Sequence, residues 1–248
     1  MSATPALWVG YTSDSGIGGR LRWFRFDQNT SRSFVNGVPP VLGVSATPLF
    51  VGPTVTTATD DLARAYSSLR IETWDLEATG TSGDERTLMQ AGIGVRFAHL
   101  AQRYDAAVAS VGAPTQSLFS GHNFNGGGPM VSGQYHRRLG DTGFGVFAIG
   151  RGALMWGNRK DNAFLLSDSA LVLTGTATGD MLLPTVELEL GVEYSRDIGD
   201  LQVFAQLGGV GQVYFNAGNS SNNNMITVPQ NESNLGLFGL VISAGVRY

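Results

Sequence analysis

Apolar and polar side chains alternate at every second position over most of the chain, as they do in strands with one oily and one polar face. Val186, Leu188, Leu190, Val192 and Tyr194 share one side, and Glu187, Glu189, Gly191, Glu193 and Ser195 share the other. Met89, Ala91, Ile93, Val95 and Phe97 oppose Gln90, Gly92, Gly94 and Arg96. Val203, Ala205, Leu207, Gly209 and Val213 oppose Gln202, Gln206, Gly208 and Gln212. At the close, Phe238, Leu240, Ile242, Ala244, Val246 and Tyr248 oppose Gly239, Val241, Ser243, Gly245 and Arg247. The pattern predicts strands over 6–13, 17–28, 69–80, 87–100, 129–139, 142–156, 182–196, 201–215 and 235–248. Only the stretch from Asp60 to Leu69 offers room for a short helix.

The connectors between these strands alternate in length. SDSG, 81–86, LGDT and DIGD are short, whereas 29–68, 101–128, 157–181 and 216–234 are long. Short periplasmic turns and long external loops are the habit of outer-membrane barrels, and tilted strands of about 9–11 residues cross a bilayer. The expected fold is therefore all-β, an antiparallel transmembrane β-barrel forming one domain over 1–248. Such barrels carry even strand numbers in bacteria. Eight strands from residue 17 onward is the favoured count, with ten and the first one missing as the alternative.

Two segments break the pattern. Leu69 and Ile71 are out of phase with Trp74, Leu76 and Ala78, and the phase shifts again around Trp23 and Phe24. A bulge or a strand leaving the membrane accounts for either. Aromatics gather near predicted strand ends, at Trp23, Phe24, Phe26, Trp74, Tyr135, Trp156, Tyr194, Tyr214, Phe215 and Tyr248, as an interfacial belt requires. Trp23, Trp74, Ile93, Phe97, Leu190, Tyr194, Phe238, Ile242 and Tyr248 are the expected membrane-facing or girdle residues. Inside a barrel Glu187, Glu189 and Glu193 need opposite charges or hydrogen bonds. Arg20, Arg22, Arg96, Arg151 and Arg247 are the candidate partners, with Gln206 and Gln212 on the same polar faces.

Composition narrows the field. Charged residues make up 15% of the 248, below the ~25% of an average soluble domain. No apolar run approaches the ~18–20 residues of a helical span. Cysteine is absent, which excludes disulfides and thiolate metal sites. A net charge of -4 without a basic block makes nucleic acid a poor partner. The opening MSATPALWVG lacks the charged and apolar regions of a signal peptide.

Chemistry finds little purchase. GHNFNGGGP at 121–129 lacks the Lys-Ser/Thr of a phosphate loop and reads as a glycine-rich loop or bulge entering a strand, with His122 and Asn123 in turn contacts. His99, at a predicted strand end, is a candidate interfacial residue. The three histidines show no metal spacing, and no G-x-S-x-G elbow is present. Glu187 and Glu189 are about 6.6 Å apart by strand rise, which overlaps glycosidase separations but is common on any polar strand face. No catalytic, metal or cofactor residues are expected. The apolar stretch 39–59 is expected to fold over or into the barrel mouth.

Several segments resemble a known family. WDLEATG (74–80), AGIGVRFAHL (91–100), FNGGGPMVSGQYHRRLGDTGFGVFAIGRGALMWG (124–157), LELGVEYSRDIGD (188–200) and NLGLFGLVISAGVRY (234–248) are similar to the pore-forming outer-membrane proteins of the Legionella major outer membrane protein type, found in Gram-negative bacteria. The resemblance implies a porin-like outer-membrane barrel, with Asp75 and Glu77 facing inward alongside Arg96 and Arg151. Its implied partners are membrane lipids and the assembly machinery that reads the last strand and its terminal aromatic. It implies outer-membrane localisation, with a front that is shortened or divergent, since family precursors carry a signal peptide. The expected function is structural or the passage of small solutes. A soluble all-β ligand- or carbohydrate-binding module and a membrane-embedded barrel enzyme stand as the alternatives.

Overall fold

The computed structural model describes residues 4–35, 45–46, 55–56, 61–84, 86–109, 115–168, 170–199, 201–219 and 232–247. In chain order the strands are β1 (Ala6–Thr12), β2 (Ile17–Val35), β3 (Ser45–Ala46), β4 (Val55–Thr56), β5 (Leu62–Gly83), β6 (Thr87–Ala109), β7 (Gln116–Arg138), β8 (Phe144–Ser167), β9 (Ala170–Ile198), β10 (Leu201–Asn219) and β11 (Glu232–Arg247). β3 and β4 form a separate small ladder, and the other nine make one sheet in the order β1-β2-β5-β6-β7-β8-β9-β10-β11. Every neighbouring pair is antiparallel, and the sheet curls through 230°. The expected all-β antiparallel fold is thus present, as a half-barrel consistent with a β-barrel. The segment near residue 6 pairs with β2 along its whole length, so the described sheet holds nine strands rather than the eight counted from residue 17.

The strands run well past their expected ends. β5 begins at Leu62, so residues 62–69 form strand and not the short helix that the stretch from Asp60 to Leu69 has room for. Much of the expected loops 29–68, 101–128, 157–181 and 216–234 is strand as well. β8 and β9 stay paired up to Ser167 and Ala170. The GGG run lies inside β7, with β6 paired on one side and β8 on the other. Glycine is needed there for close approach: a Cβ at Gly126 would lie 2.5 Å from both Phe124 Cζ and the Trp156 carbonyl oxygen. Most of 39–59 lies outside the described residues.

The phase breaks have a simple cause. The β2–β5 and β5–β6 ladders keep their register throughout, so no bulge is involved. What changes is the chemistry of each face. Towards the short turns the outer face is apolar and the inner face polar; farther along the same strands, the two exchange. Ile71 is inside and 0% exposed, whereas Leu76 is outside and 58% exposed. Phe24 and Tyr214 likewise point inward and are buried, outside any external belt.

Short turns close the other end. Gly16, Gly140, Gly143 and Gly199 adopt positive φ, which a Cβ would strain. Between β5 and β6 the Asp84 carboxylate accepts the Arg86 and Thr87 amides at 2.9 and 2.7 Å. These two bonds hold its carboxyl below the usual carboxylate range.

Candidate functional site: a charged layer inside the sheet

The inner face towards the short turns carries arginines and carboxylates from six strands. Sequence alternation puts them there, because their oily neighbours all face out. Glu187 on β9 accepts Arg22 Nη2 at 2.9 Å and Gln212 Nε2 at 3.0 Å, and it also accepts Arg151 Nη1. Asp75 on β5 accepts Arg96 through Nε at 2.6 Å and Nη2 at 2.7 Å, the two-pronged match a planar guanidinium makes with a carboxylate. Arg22 reaches the same Asp75 at 3.4 Å. Glu77 accepts Arg20 Nη2 at 2.7 Å and the Ser132 hydroxyl. Glu189 sits one step along from the Arg151–Glu187 pair on the inner face.

Charge balances within this layer. Arg20, Arg22, Arg96 and Arg151 stand against Asp75, Glu77, Glu187 and Glu189, and all eight side chains are buried. Burying one ion alone costs several kcal/mol, and mutual pairing offsets it. The bonds also cross the interior: Arg22 links β2 to β9, and Arg96 donates to Thr185 on β9 at 3.3 Å. These pairs of strands are not neighbours in the sheet, so the network ties facing walls together.

At the short-turn end Glu193 accepts Gln206 at 2.7 Å and Arg247 at 3.1 and 3.2 Å, with His136 Nδ1 at 3.3 Å. A cavity of about 520 Å³ opens there, lined by His136, Arg138, Glu193 and Arg247 among others. In the opposite direction the charged layer is covered by an apolar one, in which Ile71, Leu100, Phe124, Met155 and Leu183 pack together. Beyond that, His122 Nδ1 lies 2.7 Å from Asp161, which also pairs with Arg159 at 3.1 Å. Ala106, Val108, Leu118 and Leu165 form a further apolar cluster.

Arg20, Arg22, Asp75, Glu77, Arg96, Arg151, Glu187, Glu189, Glu193, Gln206 and Gln212 are buried and Arg247 is part-buried, and register puts them on one face of the sheet. Three groups escaped the sequence. His122 and Asp161 fall in strand extensions taken for loop, and continuing the alternation of β7 and β8 would have turned both inward. His122 is thus a buried strand residue bonded to Asp161. The third is the stack of Trp8 on Phe204, with centroids 6.0 Å apart, capped by the Arg247 guanidinium 4.3 Å from the Phe204 ring. It joins β1 to β10 and β11.

The outer face carries Trp74, Ile93, Phe97, Leu190, Tyr194, Phe238 and Ile242, all exposed, with Trp23 beside Trp74. Tyr248 lies outside the described residues. Trp23, Trp74, Phe97, Gly127 and Trp156 oppose one another in successive ladders, giving one aromatic row across five strands. The Trp23 and Trp74 indoles both donate to Glu72, at 3.1 and 3.3 Å. The next outward row is wholly polar, comprising Arg25, Glu72, His99, Asn125, Asn158 and Asp180. In it His99 meets Asn125 at 2.6 Å. Among the described residues no helix is long and apolar enough to cross a membrane, and no cluster of three metal-ligating side chains occurs.

The family model described as Legionella pneumophila major outer membrane protein precursor matches residues 6–248. Neither a curated protein nor a solved structure matches the chain.

Proposed function

Because the chain belongs to the Legionella major outer membrane protein family, a non-enzymatic family of the bacterial outer membrane, we propose that it is a structural barrel whose interior is shut midway by the charged layer and its apolar cover. One observation carries this reading: Arg96, Asp75, Ile71, Leu100, Phe124, Met155 and Leu183 fill successive inner levels and are almost wholly withdrawn from solvent. Water and ions need a continuous polar path, and an apolar layer lying on paired charges interrupts it. The soluble-module alternative falls with family membership.

In this reading the outer apolar band meets lipid and the aromatic row sits at its edge. On β9 the band runs from Leu182 to Tyr194, which at about 3.3 Å per residue and a tilt near 45° spans ~28 Å of membrane normal. Barrels show an apolar band of about 25 Å flanked by aromatics. The outward Phe238, Leu240 and Ile242 of β11 are the surface we assign to the assembly machinery. Passage of small solutes is the second reading, favoured by the cavity at Glu193 and Arg247.

Planar-bilayer recording separates the two. The purified protein is expected to give no steady current, and joint replacement of Phe124, Met155 and Leu183 by alanine is expected to raise conductance. Steady ohmic current from the unmodified protein would reject the closed-barrel reading.

A further inference from the structure

We propose that the outer wall just beyond the aromatic row binds the phosphorylated sugar headgroup of lipopolysaccharide in the outer leaflet. The location follows from the strand directions. Short turns of outer-membrane barrels are periplasmic and long connections external, so the strand extensions past Trp23, Trp74 and Trp156 project outward from the cell. Their outer face begins where the lipid-facing band stops, at the depth of the outer-leaflet headgroups.

The chemistry of that face matches such a headgroup. A groove of about 640 Å³ runs over β2, β5, β6, β7 and β8, within the ~300–1,000 Å³ range of ligand sites. Arg70 and Arg103 border it with half or more of each side chain exposed. Lys160 lies in register with Asn123, in the same outward row as Arg70, and makes no ion pair with a described residue. Guanidinium forks and ammonium groups are phosphate ligands. Arg70 is held at 2.8 Å by Asp27, and Arg103 at 2.7 Å by Asp105, so both present donors from fixed positions. Asn123 and Asn162 offer amides to sugar hydroxyls. The rings of Phe119 and Phe164 stack with centroids 4.7 Å apart and offer an apolar face to a pyranose. Below the row, Leu76 and Val95 continue the band against which acyl chains lie. A glycolipid with phosphate and sugar above its chains thus fits both sides of one boundary.

The test uses the full chain, refolded in detergent and incubated with rough lipopolysaccharide, the same material stripped of phosphate, phosphatidylglycerol, or lipid-free polysaccharide. Bound ligand is read by native mass spectrometry, and folding by heat-modifiable gel migration. The unmodified protein should retain rough lipopolysaccharide. The variant R70A/R103A/K160A should retain at least about tenfold less, since each charge-assisted bond contributes on the order of a tenfold change. R137A/R196A, altered at the short-turn end, should bind normally. If the triple variant fails to fold, K160A and R103Q singly should each lower retention several-fold. Equal retention by the folded variants, equal binding of phosphate-free material or phosphatidylglycerol, or binding of lipid-free polysaccharide alone overturns the proposal.

Discussion

Glu187 accepts from side chains on three strands, Arg22, Arg151 and Gln212, and two of these are buried guanidiniums. Removing it leaves two buried guanidiniums without their main partner. Breaking a buried pair from one side costs roughly 3–5 kcal/mol. Glu187→Ala should therefore lower the unfolding free energy by that order, seen as a lower urea midpoint by gel migration in detergent. Glu193→Ala should do less, because its partner Arg247 reaches the open cavity and keeps water. The interior residues were legible in the sequence because each lies on a strand face whose reverse is oily. Their pairing was not legible, since Arg22 and Glu187 are brought together only by the curl of the whole sheet.

Strands are the level at which the sequence misleads most. Beyond the aromatic row the outer face turns polar while the inner face turns apolar, so alternation persists with its phase inverted. Read for an oily outside, β7 and β8 seem to stop at Pro129 and Trp156, and the rest passes for loop. The glycines of β7 added to this, since GGG suggests a turn wherever packing is unseen. Their reason is local crowding, and it gives a sharp contrast. Gly126→Ala places a methyl against a backbone oxygen and the Phe124 ring and should cost about 1–3 kcal/mol, the range for overpacked sites. Gly133→Ala, with nothing within 4 Å of its added carbon, should change the unfolding midpoint little.

At the scale of the molecule, the inverted phase divides the wall into a part with an apolar outer face and a part with a polar one, which the proposed function makes the membrane-embedded and projecting parts. Tryptophan fluorescence can locate that division. In vesicles, variants keeping only Trp74 or only Trp156 should be quenched more by a spin label at the headgroup than by one at the acyl-chain end. Stronger quenching from the bilayer centre would displace the boundary from the aromatic row. The front of the chain was legible as a strand but its place was not, because a seven-residue segment gives no sign of which neighbour it joins.

The Trp8–Phe204 contact decides how the wall can come apart. With nine antiparallel strands, β1 and β11 run in the same direction, and no backbone pairing joins them among the described residues. Separating any two sheet neighbours unzips a ladder, the shortest being the seven residue pairs of β1 on β2. Along the line between β1 and β11, parting breaks side-chain contacts alone, among them the Trp8–Phe204 stack and the Arg22–Glu187 bond. Backbone hydrogen bonds join all the other neighbours in the curled sheet, and across that single gap the clasp is made of side chains.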